Sequence, residues 1–166
     1  MLTNKSEKTA NADYQRERML RLGIAASKSR TGGHFVLRST AARKAGETLC
    51  DFGCVPAPQT RYTIQISADQ HAELVPGFLR LASHGCQPNL IFDVDTRRVE
   101  VLTDVHVGDE LTFFYPSTEW DMAEPFDCWC GAPGCLGRVA GAKHAPRGLL
   151  RGNWLARHIR EAIARG

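Results

Sequence analysis

Apolar residues in this sequence come in short alternating bursts separated by turn signals. The clearest is LIFDVDTRRVEVLT (90–103), where two β-rich runs flank a polar turn at DTRR and predict a hairpin. HFVLR (34–38) reads as extended after the chain-breaking TGG, and KAGE (44–47) turns the chain again before TLCDFG. RYTIQIS (61–67) alternates well enough for a strand, and VGDELTFFY (107–115) gives a Gly-Asp turn followed by another. Many short strands with closely spaced turns and little helix between them predict a mainly β domain of small sheets. The two ends differ. Residues 1–12 are polar and are expected to fray, while Tyr14, Met19 and Leu22 fall near one face of a short helix over 14–22. NWLARHIREAIAR (153–165) predicts an amphipathic helix with Asn153 as N-cap and Leu155, Ile159, Ala162 and Ile163 at helical spacing. That apolar stripe is expected to dock on the parent domain.

A chain of 166 residues suits one domain with a real core, and 43% hydrophobic with 23% charged residues is ordinary for a globular protein. No apolar run approaches the roughly 20 residues that cross a bilayer, so no membrane role is expected. MLTNKSEKTANADYQRER lacks the hydrophobic stretch of a secretory signal. An intracellular protein is the expectation, cytoplasmic, or nuclear if eukaryotic. Its six cysteines then read as thiols or metal ligands rather than disulfides. The net charge of +3 is unevenly spread. From Lys143 onward six Lys/Arg face one acid, Glu161, giving +5 and leaving −2 for the rest. A basic tail can meet nucleic acid or an acidic protein surface, or serve only as a solvated face.

Three of the cysteines crowd into DCWCGAPGCLG (127–137) as C-x-C-x4-C: Cys128, Cys130 and Cys135. A turn through Gly131, Pro133 and Gly134 can fold the third thiol back on the first two. A closed structural zinc site takes four ligands, so local spacing leaves it one short. Cys50 and Cys54 sit at a strand end and turn, TLCDFGC. Cys86 sits in ASHGCQPN, a segment that Gly85 and Pro88 keep out of regular structure, and is the better long-range ligand. A redox cluster or small buried hydrophobes remain open as readings of the same thiols.

RLASHGCQPN (80–89) resembles the Arg-Phe-x-Asn-His-Ser-Cys-x-Pro-Asn signature of SET-domain protein lysine methyltransferases. GDELTFFY (108–115) is similar to that family's Gly-Glu-Glu-Leu-Thr-Phe-Asp-Tyr, and CWCGAPGCLGR (128–138) to its post-SET Cys-x-Cys-x4-Cys-x-Gly. Upstream, RTGGHFVLRSTAARKAGETLCDFG (30–53) resembles the opening strands. The order and gaps agree, and the resemblance covers roughly residues 28–140. It implies a SET-type β-clip with a pseudoknot-like C-terminal region, here followed by an amphipathic helix. The implied layout is an N-terminal extension over 1–22, a SET domain over 23–122, a post-SET zinc segment over 123–142 and a basic helix over 143–166.

The resemblance further implies S-adenosylmethionine as methyl donor and Zn2+ as the structural metal. By position the zinc ligands are Cys86, Cys128, Cys130 and Cys135. Gly32 and Gly33 match the glycine turn that approaches the donor's methionine part, His84 the histidine whose backbone meets the adenine, and Ser83 the position that holds the donor's amino group. Leu136 is placed to cover the adenine. Tyr115 matches the catalytic tyrosine, whose hydroxyl orients amine and methyl. Phe113 matches a position that carries Phe or Tyr, and Phe leaves room for di- or trimethylation. Trp120 and Trp129 are candidates for aromatic wall near the flap, or for core.

Three departures from the family pattern stand out. Ser83 replaces an asparagine, Gly85 a serine and Phe114 an acid. The insert between Gly53 and Arg80 is only 26 residues, where larger relatives build a peptide groove. The expected acceptor is therefore an accessible lysine of a protein or, alternatively, a small amine. A non-catalytic zinc-stapled binding module is the third reading. Nucleic acid is a further candidate partner for the basic tail, and monomer and homodimer both remain open.

Overall fold

The computed structural model describes residues 4–29 and 33–166, with side chains from residue 11 onward. A helix, α1 (Asn4–Arg21), opens the chain. It is longer than the sequence predicts because its outer part carries no apolar stripe for periodicity to register. Polar pairs one turn apart support it instead: Gln15 to Asn11, Arg18 to Tyr14, and Arg21 to Glu17. Leu22 and Gly23 close the helix, and Gly23 has the left-handed φ of 61° that a tight exit needs.

The strands are short, as expected. β1 (Ile24–Lys28) and β2 (Phe35–Ser39) form an antiparallel pair. β3 (Thr48–Asp51) lies at one edge of a five-stranded sheet, while β4 (Gly53–Ala57), β5 (Ile64–Gln65) and β6 (His71–Val75) make a small separate sheet in the order β4-β6-β5. β7 (Ser83–His84), β8 (Leu90–Asp93), β9 (Arg98–Val101) and β10 (Thr112–Phe113) complete the larger sheet in the order β3-β9-β8-β10-β7. β10 runs parallel to both β7 and β8 and inserts between them, so a later strand occupies the gap between two earlier ones. β11 (Phe126–Asp127) and β12 (Arg138–Val139) pair at the base of the cysteine-rich excursion.

The β8–β9 hairpin shows why alternation is a strong signal. Leu90 and Phe92 on one strand, Val99 and Val101 on the other, point to the same face and are buried, with their neighbours partly exposed. Phe92 stacks on Phe113 at 4.3 Å and meets Phe52 at 6.1 Å, forming the aromatic centre of the core. Around it pack Leu37, Leu79, Leu111 and Ile24.

The tail departs from the sequence reading at its start. Two helices are present: α2 (Arg147–Arg151), which the periodicity missed, and α3 (Arg157–Arg165). Asn153 does not cap α3; its side-chain amide donates to the Leu149 carbonyl at 2.9 Å and so closes α2. The α3 start is set from outside. Ala156 N–H donates to the Ser117 carbonyl at 2.9 Å, and Arg157 N–H to the Asp95 carboxylate at 3.0 Å. Ile159 is buried, and Leu155 and Ile163 pack half-buried against the core.

Candidate active site

Two elements meet at the site. The β7 strand delivers Ser83 and His84, then a loop carrying Gly85, Cys86 and Pro88 leads into β8. β10 runs alongside, its Phe113 in register with His84. Thr112 N–H donates to the Asn89 side-chain oxygen at 2.9 Å, while the Asn89 amide donates to the Glu110 carbonyl at 2.8 Å. That asparagine clamps the loop to β10. Gly85 is required by crowding: a Cβ there would sit 2.7 Å from the Thr112 hydroxyl and 2.9 Å from its Cβ.

After Phe114 the strand ends, and Tyr115 starts a single 3-10 turn over Tyr115–Ser117 with Pro116 inside it. The turn brings the Tyr115 hydroxyl back to donate to the Ala82 carbonyl at 2.9 Å. Burial, reinforced by the negative charge of Glu119, raises the phenol well above the usual tyrosine range, so it stays protonated. Phe113 lies against its ring at 4.7 Å, His84 at 5.3 Å and Phe126 at 6.0 Å. Phe126 is a wall residue that sequence reasoning missed; it stands just before the cysteine motif, with no periodicity to mark it.

His84 links this aromatic group to the thiols. Tyr115 N–H donates to His84 Nδ1 at 3.3 Å, which puts the ring proton on Nε2. Nε2 in turn lies 3.2 Å from Cys86 Sγ. Burial holds the imidazole down at about 4, so it is neutral near neutral pH. The sequence resemblance assigned His84 through its backbone; the side chain has a structural task of its own.

The sulfurs of Cys86, Cys128, Cys130 and Cys135 all lie within 4.8 Å of one another. Cys86 stands 3.9 Å from Cys128 and 4.0 Å from Cys135. A tetrahedral zinc with bonds of about 2.3 Å separates its sulfurs by about 3.8 Å, so the cluster has the dimensions of a closed zinc site. Its donors also suit a thiophilic divalent ion. Backbone N–H groups already point at the sulfurs, Leu136 to Cys86 at 3.4 Å and Gly137 to Cys135 at 3.5 Å, as they do around metal thiolates. Burial pushes the Cys86 thiol up to about 11 and raises Cys128 too. At Cys130 burial also acts upward, but hydrogen bonds from Ala132, Cys86 and the neighbouring thiols bring it down to about 7. Cys50 and Cys54 lie elsewhere as free thiols, Cys54 accepting from Arg97 at 2.7 Å.

The structure thus brings together the four cysteines, His84, Tyr115, Phe113 and Leu136, with Ser83 adjacent on β7. Gly33 lies in the β1–β2 turn, exposed, with the left-handed φ of 67° and open space where a Cβ would be. That opening suits the close approach of a ligand to backbone. Gly32 falls outside the described residues. Trp120 is half-buried against the core, but Trp129 is 88% exposed and forms neither wall nor core.

Small sheets with an inserted parallel strand, a tyrosine turned back into an aromatic nest and a four-thiol staple beside it define a SET-type fold. No protein-family model matches the sequence. The chain is 41% identical over 131 residues to Methyltransferase flvH of Aspergillus flavus, covering 76% of this chain and 73% of that one. A histone-lysine N-methyltransferase, H3 lysine-36 specific, of Gibberella zeae is 32% identical over 74 residues, 41% of this chain and 8% of that one. An H3 lysine-4 specific enzyme of Emericella nidulans is 37% identical over 68 residues, 37% of this chain and 6% of that one. Among solved structures, KRYPTONITE in complex with mCHG DNA and SAH matches with a TM-score of 0.54 at 22% identity, over 69% of this chain and 28% of that one. The chain belongs to the SET-domain methyltransferase family.

Proposed function

We propose that this protein transfers a methyl group from S-adenosylmethionine to the side-chain amine of a protein lysine. The observation that carries the reading is the Tyr115 hydroxyl, fixed at 2.9 Å on the Ala82 carbonyl and surrounded by Phe113, His84 and Phe126. When bound, the donor supplies an electrophilic methyl on a sulfonium; the acceptor must present a neutral nitrogen directly behind it. Free lysine titrates near 10.4, and an aromatic, poorly hydrated lining disfavours its ammonium form. A phenol that stays protonated while sharing its proton with a backbone carbonyl keeps its oxygen lone pairs for the amine and the methyl hydrogens. Gly33, Ser83, His84 and Leu136 are the residues we assign to the donor. To Cys86, Cys128, Cys130 and Cys135 we assign a zinc ion that pins the flap. Phe113, with no hydroxyl, leaves room for more than one methyl.

Labelled donor and purified, zinc-loaded protein test this. Calorimetry should detect donor binding, and Tyr115→Phe should abolish transfer while leaving that binding intact. A folded, zinc-loaded protein that binds no donor would instead be a binding module.

A second reading, a free small amine as acceptor, is favoured by the short 54–79 segment. It builds only the β4-β6-β5 sheet and one 3-10 turn, Gly77–Leu81, with Tyr62 exposed on its surface. The histone-directed relatives match only 37–45% of the chain, and the name of the longer-matching relative specifies no acceptor. Label from a split lysate decides: counts in the protein fraction support lysine, counts confined to the small-molecule fraction replace it.

A further inference from the structure

α2, α3 and the link between them line an open groove of about 410 Å³, with the apolar Leu150, Leu155 and Ile163, the cationic Arg147, Arg151 and Arg160, and Gly166 at its edge. Leu150 is buried, while Leu155 and Ile163 are half-open. The arginines stand on both helices, two on α2 and one on α3, and all three are exposed. Among the described residues no carboxylate pairs with any of them, although Lys143 nearby in sequence is matched by Asp121 at 2.8 Å. Arg160 is braced on the Leu155 carbonyl, which keeps its guanidinium on its own side. The sequence from 143 to 166 carries +5 against −2 for the remainder, so the charge here is not balanced by the body of the protein.

An apolar patch flanked by unpaired arginines is a mixed surface, and it suits an occupant that matches both parts. The geometry points to a docking site for an acidic amphipathic helix of a partner protein. Its apolar ridge would enter over Leu155 and Ile163, and Asp or Glu on its shoulders would meet Arg147, Arg151 and Arg160. A nucleic-acid backbone would satisfy the arginines but leave the leucine and isoleucine patch without a match. Membrane lipid fits less well, because the apolar residues are recessed between helices rather than raised above the charges. The site needs neither the donor nor the tyrosine, and so stands apart from the proposed chemistry.

The test uses the full zinc-loaded chain and a fluorescein-labelled peptide of about 16 residues, with leucines at i, i+3, i+4 and i+7 and glutamates on the flanks. Anisotropy should give saturable binding that weakens as salt rises. The doubly substituted Arg151→Glu, Arg160→Glu protein should lose at least about tenfold in affinity, since like charges then face each other. Both positions are exposed, and a thermal melt checks that the variant is folded. A scrambled peptide of equal charge should bind at least about fivefold more weakly, because its apolar face is gone. Absence of binding overturns the proposal. So does equal binding of the scrambled peptide, or of a labelled 16-base-pair DNA duplex, either of which makes the tail a plain basic surface.

Discussion

His84 is where one side chain holds two parts of the site in register. It accepts from the Tyr115 amide and donates to the Cys86 sulfur, so it stands as an outer-shell partner of the proposed metal. Outer-shell donors to metal ligands are typically worth about 10–100-fold in metal affinity. His84→Phe keeps a ring of similar bulk but neither hydrogen bond. Competition against a chromophoric chelator should show zinc affinity falling by about that factor; unchanged affinity would mean that the imidazole merely fills space. A different cysteine gives the pH dependence. Burial pushes the Cys50 thiol up from 9.0 to about 11. Below pH 9 it is protonated whether the chain is folded or not, and its contribution is fully present. Between pH 9 and 11 the unfolded chain loses this proton while the native one keeps it, so stability should decline by on the order of 2 kcal/mol. Urea titrations across this range should show the decline, with a shallower slope in Cys50→Ala.

The strands and helices were legible where sequence-local forces set them and obscure where tertiary partners did. The hairpin over residues 90–101 obeys alternation because one face is fully covered by the core. RYTIQIS shrinks to the two residues of β5 because Thr60 and Thr63 turn the chain before it and Ile66 closes on Gln70 after it. Likewise VGDELTFFY keeps a strand of only two residues, β10, preceded by an isolated bridge from Glu110 to Arg38, since Pro116 and the Tyr115 turn take over the end. α3 starts four residues after its apparent cap because Ser117 and Asp95 satisfy its first amides from across the fold. The cysteine spacing announced a staple, but Cys86 as fourth ligand needed either the family pattern or the folded chain. Gly141 was silent in sequence and is critical in structure. It has φ 106° and ψ 171°, and a Cβ on it would lie 2.5 Å from the Trp120 carbonyl oxygen. Only there can residues 140–143 approach 119–122 closely enough for Ala142 N–H to reach the Glu119 carbonyl at 2.8 Å and Lys143 N–H to reach Trp120 at 2.9 Å. Gly141→Ala adds a backbone clash to a conformation that L-residues avoid, and should cost about 2–4 kcal/mol, measured as a drop in Tm.

The proposed zinc site is placed so that a local cross-link would hold one wall of the candidate active site. Cys86 belongs to the loop between two strands of the five-stranded sheet, whereas Cys128, Cys130 and Cys135 ride an excursion held at its base by the β11–β12 pair. Within itself the excursion is closed by Cys128 N–H to the Gly137 carbonyl at 2.6 Å and Arg138 to Asp127 at 3.2 Å. Apart from the thiols it meets the body through the Phe126 ring against His84 at 5.9 Å and Tyr115 at 6.0 Å, the half-buried Leu136 and the buried Val139 at its end. The body, by contrast, has the aromatic core around Phe92 and the docked α3 to hold it. Stripping the metal should therefore loosen residues 126–138 and expose Tyr115 on its Phe126 side, while leaving the sheet and the buried Val139 in place. Purified protein should contain one zinc per chain, and a chelator should make four additional thiols reactive without collapse of the far-ultraviolet signal. Hydrogen exchange should rise over residues 126–138 and at Tyr115, and stay protected at Phe92 and Val99. Cys86→Ser removes the only ligand supplied by the body, so its zinc affinity should fall by at least about 100-fold. Retention of full zinc by that variant, or exchange that rises evenly through the sheet, would remove the staple from the account.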